Sequence, residues 1–124
     1  MKLWTGIITD KVQQSKDFYT RLFGARVLYE GEGGWFVLLG IGASELAFMR
    51  PGQKTQAPIF RPAFEGNGVW LALDVDDANL EYRRIQSLGV PIEVELRDEA
   101  WGDRHFAIRD PNGIGVDIVQ RLSA

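Results

Sequence analysis

The chain has no cysteine and a single histidine, His105, and these two scarcities remove more chemistry than any of its motifs suggests. Without cysteine there is no disulfide framework, no thiolate metal site and no cysteine nucleophile, and cysteine usage is silent on the redox compartment. One imidazole leaves no site built on two histidines. Charge of one sign is also not in surplus: 14 Lys and Arg stand against 17 Asp and Glu, for a net charge of -3. The basic residues are scattered, so the positive stripe of a nucleic-acid binder is missing, and the slight acidity favours a cationic guest. No apolar run approaches the roughly 20 residues that span a bilayer. Residues Met1 to Gly6 run straight into a strand pattern with no signal-peptide core or cleavage site, so the expected location is cytoplasmic. Nucleotide loops of the G-x-G-x-x-G or Walker type are absent, and Gly31-Glu32-Gly33-Gly34 joins two strands without opening a helix, which makes it a hairpin turn.

What is present is a pattern stated twice. Of the 124 residues, 45% are hydrophobic and 25% charged, ordinary values for one folded domain with a real core. Ile7-Ile8-Thr9-Asp10 leads into a helical stretch ending at Leu22-Phe23-Gly24, and Leu71-Ala72-Leu73-Asp74-Val75-Asp76 leads into another ending at Leu88-Gly89. Strand patterns follow each glycine. The spacing predicts a strand over Leu3–Thr9 and a helix over Val12–Phe23. Strands follow over Arg26–Glu30, Trp35–Leu39 and Glu45–Met49. Residues 51–67 hold three of the five prolines and form a connection or lid. The second half predicts a strand over Val69–Val75 and a helix over Ala78–Leu88, capped by Asp76 or Asp77, with Leu80, Ile85 and Leu88 on its apolar stripe. Strands Ile92–Leu96, His105–Arg109 and Gly115–Gln120 close it, the last two joined by the turn Asp110-Pro111-Asn112-Gly113. The fold class is therefore α+β, two tandem β-α-β-β-β units over residues 1–50 and 68–124 within one domain.

Two stretches carry a family likeness: Ser15-Lys16-Asp17-Phe18-Tyr19 with Leu22-Phe23-Gly24, and the longer Trp101-Gly102-Asp103-Arg104-His105-Phe106-Ala107-Ile108-Arg109-Asp110-Pro111-Asn112-Gly113. On these the chain resembles the vicinal oxygen chelate superfamily of glyoxalase I, ring-cleaving dioxygenases and bleomycin-resistance proteins, and within it the bleomycin-resistance, antibiotic-binding branch. The resemblance implies cupped units whose strands form mixed eight-stranded sheets, commonly in a homodimer. It also implies four ligand positions on the inner sheet faces, two His and two carboxylates in metal-dependent members, which fall here on Leu3, Glu45, Trp70 and Asp117. Both imidazole positions are apolar, and two carboxylates alone hold a transition metal poorly, so neither a metal nor any other cofactor is expected.

In the hairpin around His105 the pleat puts Phe106 and Ile108 on one face and His105 on the other, which reads as a surface or interface histidine, with ligand contact the alternative. Four Trp, seven Phe and three Tyr are many for so short a chain. Most fill the core, with Phe18, Phe23 and Phe106 the clearest cases. Trp70, Trp35, Phe48 and either Phe36 or Phe60 are instead candidates for an aromatic-lined pocket, with Trp101 and Gly102 at its mouth. Glu45 and Asp117 either pair with Arg50, Arg104 or Arg109 or recognise a cationic guest. The expected function is sequestration of a planar or cationic small molecule such as an antibiotic, by a protein that pairs with itself and with no nucleic acid or membrane. The alternative is a lyase, isomerase or dioxygenase-like enzyme, with or without a divalent metal, in which Glu45 or Asp117 is the general base.

Overall fold

The computed structural model describes residues 1–122, and the final positions of the expected second unit, Ser123 and Ala124, lie outside the described residues. The first repeat contains β1 (Thr5–Ile8), α1 (Val12–Phe23), β2 (Arg26–Glu30), β3 (Phe36–Ile41) and β4 (Ser44–Met49). The second contains β5 (Trp70–Asp74), α2 (Ala78–Ser87), β6 (Val94–Asp98), β7 (Asp103–Arg109) and β8 (Gly115–Arg121). Short 3-10 turns occur at Glu32–Gly34 and Pro58–Phe60. Hydrogen bonding divides the strands into two mixed sheets of four, in the orders β1-β4-β3-β2 and β5-β8-β7-β6. In each, the first strand runs parallel to the last and the other pairs are antiparallel. The expected tandem β-α-β-β-β architecture is what the chain adopts, with the eight strands shared between two sheets rather than bonded into one. No helix among the described residues is long and apolar enough to cross a membrane.

The helix ends follow local chemistry. Gly24 takes the left-handed conformation (φ 63°) and returns its N–H to the Tyr19 carbonyl, which stops α1 where an L side chain would be strained. Of the two candidate caps for α2 it is Asp77 that acts, its carboxylate accepting from the Leu80 N–H at 3.0 Å. The buried side chains of α1 are Val12, Ser15, Tyr19 and Leu22, one stripe at helical spacing. The expected stripe on α2 is corrected: Leu80 and Leu88 are exposed, and the covered residues are Ala78 and Ile85. Tyr82, on that same face, meets Phe106 edge to face at 5.1 Å. Ile85 is common to both stripes; the contact of Tyr82 with Phe106 turns Ala78 and Tyr82 inward and leaves Leu80 at the surface.

The chain separates into compact units at Glu65/Gly66. In the first, α1 covers one sheet face, where Tyr19 stacks on Phe48 at 5.5 Å over buried Ile7, Val37, Leu39 and Leu46. In the second, α2 covers a face built of Phe106, Ile108, Val116 and Ile118. Each unit also has a bulge in the same strand of its repeat, between Val27 and Tyr29 in β2 and between Val94 and Arg97 in β6. A bulge adds twist and bends the strand. Strand β6 starts at Val94 and ends at Asp98, two residues later at each end than the expected Ile92–Leu96. Most of the segment expected as a connection is tied into the first unit: Phe64 N–H donates to the Ile8 carbonyl at 2.8 Å and Gly52 N–H to the Arg61 carbonyl at 2.9 Å. Truncating Phe48 to Ala is expected to lower the unfolding free energy by about 3–5 kcal/mol, whereas Leu80→Ala should change it by about 0.5 kcal/mol or less. Denaturant titration of both variants checks this, and a large loss in Leu80→Ala would restore the original stripe.

Candidate functional site

In the first unit, strand alternation turns Gly6 and Ile8 of β1, Phe36 of β3, and Ala47 and Met49 of β4 away from α1. These residues form the floor of a pocket of about 390 Å³, walled by Trp4 and by Gln56 and Phe60 from the segment after β4. The volume is that of a small-molecule site, and the lining is apolar but for Gln56 and the Trp4 indole N–H. The segment is held in place through its backbone. Arg61 donates from Nε to the Gln56 carbonyl at 2.8 Å and from Nη2 to the Lys54 carbonyl at 3.4 Å, and Phe60 N–H donates to the Ala57 carbonyl at 2.9 Å.

The corresponding face of the second unit has a different character. Ile8 lies four residues before α1 and Asp74 four before α2, so Trp4 and Trp70 are equivalent. The sheet registers then match Phe36 with His105, Ala47 with Asp117 and Met49 with Val119. Where the first unit has a hydrophobic wall, the second has a chain of charges. His105 Nδ1 meets Asp117 Oδ1 at 2.7 Å and Nε2 meets Glu99 Oε2 at 2.8 Å, while Arg97 Nη2 donates to the other Glu99 oxygen at 2.9 Å. An ionised carboxylate only accepts, so two carboxylate partners require both ring nitrogens to carry protons, and the imidazole is a cation. Burial of the ring opposes that charge, yet the hydrogen bonds to Glu99 and Asp117 and the attraction of both carboxylates outweigh it and raise the His105 pKa above its ordinary 6.5. The bond from His105, with help from Arg97, in turn lowers the Glu99 pKa below 4.5. Gly102 makes this possible: its φ of 100° closes the turn whose Gly102 N–H donates to the Glu99 carbonyl at 3.0 Å, which returns Glu99 to the imidazole.

A family model described as the Glyoxalase/Bleomycin resistance protein/Dioxygenase superfamily matches residues 3–118. The chain belongs to this superfamily. An uncharacterized protein of Mycobacterium bovis is 25% identical over 120 residues, covering 86% of this chain and 74% of its own length. Among solved structures, lactoylglutathione lyase from Agrobacterium tumefaciens superposes with a TM-score of 0.78 at 23% identity, covering 95% of this chain and 92% of that one. An antibiotic-binding protein from a Streptomyces species gives 0.72 at 23% identity, covering 98% and 94%. At such identities these likenesses show the fold.

Metal-dependent members of the superfamily need imidazoles and carboxylates converging on one point, and the residues here do not fit that requirement. Alternation puts Trp4, not the expected Leu3, on the face with Gly6, and Leu3 precedes the strand and is 88% exposed. The two relevant positions therefore hold indoles, Trp4 and Trp70, and an indole N–H has no lone pair for a metal. Among the described residues no group of three or more His, Asp or Glu side chains is placed to hold an ion.

The other candidate residues divide in the same way. Phe48 is corrected to core: it is fully buried under Tyr19 and does not line the pocket. Trp35 packs over Gly31, where a Cβ would overlap the indole, and lies outside the pocket lining. Glu45 shares the open face but is paired with Lys2 at 2.8 Å, and Asp117 with His105, so neither takes the arginine partners expected. Two of those arginines are engaged elsewhere, Arg104 with Asp98 at 2.7 Å and Arg109 with Glu93 at 3.0 Å. Trp70 and Trp101 are 70% and 71% exposed, and the Trp101 indole N–H donates to Asp103 at 3.0 Å. Phe36 and Phe60 both line the pocket. Trp4, Met49, Gln56 and Glu99 are the residues sequence reasoning missed; Trp4 had a signal in its alternation with Gly6 and Ile8, and Met49 in its alternation with Glu45, whereas Gln56 and Glu99 had none.

The clamp around His105 sets a pH dependence. A raised folded-state pKa stabilises fully below the unfolded value near 6.5, and that stabilisation is lost as pH rises through the folded value. The melting temperature of the wild type is therefore expected to fall from about pH 6.5 upward, and His105→Gln should remove that slope. Parallel melting curves of the two proteins that keep the same slope would show the clamp to be absent in solution.

Proposed function

We propose that this chain is a metal-free binding protein that takes a planar small molecule, of which an antibiotic with a flat ring system is one kind, into the pocket on the first sheet. The observation that carries the reading is the pocket itself: about 390 Å³, with Trp4, Phe36 and Phe60 offering ring faces and edges and Met49 a deformable thioether. Three aromatic side chains around one hollow suit a stacked or edge-on ring better than a flexible chain. Trp4 remains 51% exposed and Phe60 52%, apolar surface that a guest would withdraw from water. The family to which the chain belongs, whose description includes bleomycin resistance proteins, supports the reading, as does a structure of like fold described as an antibiotic-binding protein.

A neutral guest fits better than the cation first considered. No charged side chain lines the pocket, and Glu45 on the same face is satisfied by Lys2. Support for a lyase or isomerase acting through Glu45 or Asp117 is weaker, because each carboxylate is already engaged by a basic partner. A homodimer belongs to the proposal through β2, an edge strand whose Val27, Leu28 and Tyr29 are exposed. Light scattering that returns the mass of one chain would remove that part.

The pocket is tested with 1-aminoanthracene, a neutral planar dye that brightens in apolar surroundings. Saturable brightening is expected with the wild type. Trp4→Ala and Phe60→Ala should each weaken binding about tenfold, the loss of one well-packed aromatic contact, while Leu3→Ala leaves it unchanged. Absence of saturable brightening in the wild type would sink the reading.

A further inference from the structure

We propose that Gln56 selects the guest, admitting neutral planar aromatics that carry one hydroxyl or carbonyl-type group on the edge facing the Gly52–Arg61 segment. The inference rests on the binding reading above and narrows it to a ligand class. Of the side chains that line the pocket, Gln56 alone offers both a donor and an acceptor. Its backbone is fixed on both sides: the N–H donates to the Gln53 carbonyl at 3.0 Å and the carbonyl accepts from Arg61 at 2.8 Å. Among the described residues its amide has no hydrogen bond, so the backbone is anchored while the side chain of this half-buried residue, which lines the pocket with Phe60, Met49 and Trp4, is uncommitted.

That arrangement has a definite chemical preference. Amid apolar walls a single hydrogen bond is stronger than in water, and a guest that leaves the amide covered and unpaired is penalised. An ionised guest would lose hydration with no opposite charge to replace it, because the amide is neutral and the walls are hydrocarbon. A bare hydrocarbon would fill the space but strand the amide. A flat ring with one polar substituent satisfies both conditions. Arg61 is the positioning residue: its grip on the Gln56 and Lys54 carbonyls and the bond from Gly52 N–H to its own carbonyl fix the backbone that carries Gln56.

Equilibrium dialysis of naphthalene and 2-naphthol against the full chain tests this. The wild type is expected to bind 2-naphthol about three- to tenfold more tightly than naphthalene, the range of one net hydrogen bond. Gln56→Leu should bind naphthalene at least as well as the wild type and lose the preference. Gln56→Glu, which retains an acceptor for the hydroxyl proton, should keep the preference. Equal wild-type affinities for the two compounds, a preference surviving in Gln56→Leu, or one lost in Gln56→Glu would overturn the inference while leaving the pocket reading intact. Failure of the folded wild type to bind either compound would overturn both.

Discussion

Packing of one aromatic ring from each helix onto one ring of the sheet beneath it, Tyr19 on Phe48 and Tyr82 on Phe106, decides which sheet face is covered and which is left open. Strand side chains alternate, so once Phe48 and Phe106 are committed to the helices, their neighbours Ala47 and Met49, and His105 and Ala107, have no choice of side. A one-residue slip in either strand would expose its buried aromatic ring, and in β7 it would also bury His105 and its neighbours. These contacts combine large buried areas with edge or stacked ring geometry, which makes such a slip costly.

The two units show how far one backbone plan can diverge in chemistry. Phe36 against His105 and Ala47 against Asp117 are equivalent positions in register, yet one pair belongs to a hydrocarbon-lined hollow and the other to a circuit of alternating charge. The circuit runs from Arg97 through Glu99 and His105 to Asp117, across β6, the turn that follows, β7 and β8. It ties strands together and satisfies its members internally. The hollow does the opposite, leaving aromatic surface and one amide without partners of their own. Binding capacity therefore concentrates where satisfaction is incomplete.

Legibility in the sequence followed periodicity. The bounds of α1 were readable to the residue because Val12, Tyr19 and Leu22 keep helical spacing and Gly24 ends it, and β2 was likewise readable between glycine-rich turns. On α2 the largest apolar residues misled, since Leu80 is exposed and the smaller Ala78 is buried; propensity and hydrophobicity say nothing of which partner waits opposite. The candidate site was legible in part: Phe36 and Phe60 stood as alternatives, and both line the pocket. It was misjudged where parity had to be set near a strand end, as for Leu3 and Trp4, or where an aromatic could serve either face, as for Phe48. Glu99 was invisible because a carboxylate in a turn has no periodic signature, and its role depends on a glycine conformation that brings it back to a residue on the next strand.

Arg61 holds its segment through main-chain oxygens, those of Lys54 and Gln56, and not through any side chain there. Every amino acid supplies the same carbonyl. The shape of the wall is thus insulated from the identity of the groups it displays, and substitutions at positions 56 and 60 can redraw what the hollow recognises without loosening the frame that presents them. A recognition surface mounted in this way can drift quickly among relatives while the sheets beneath stay constant.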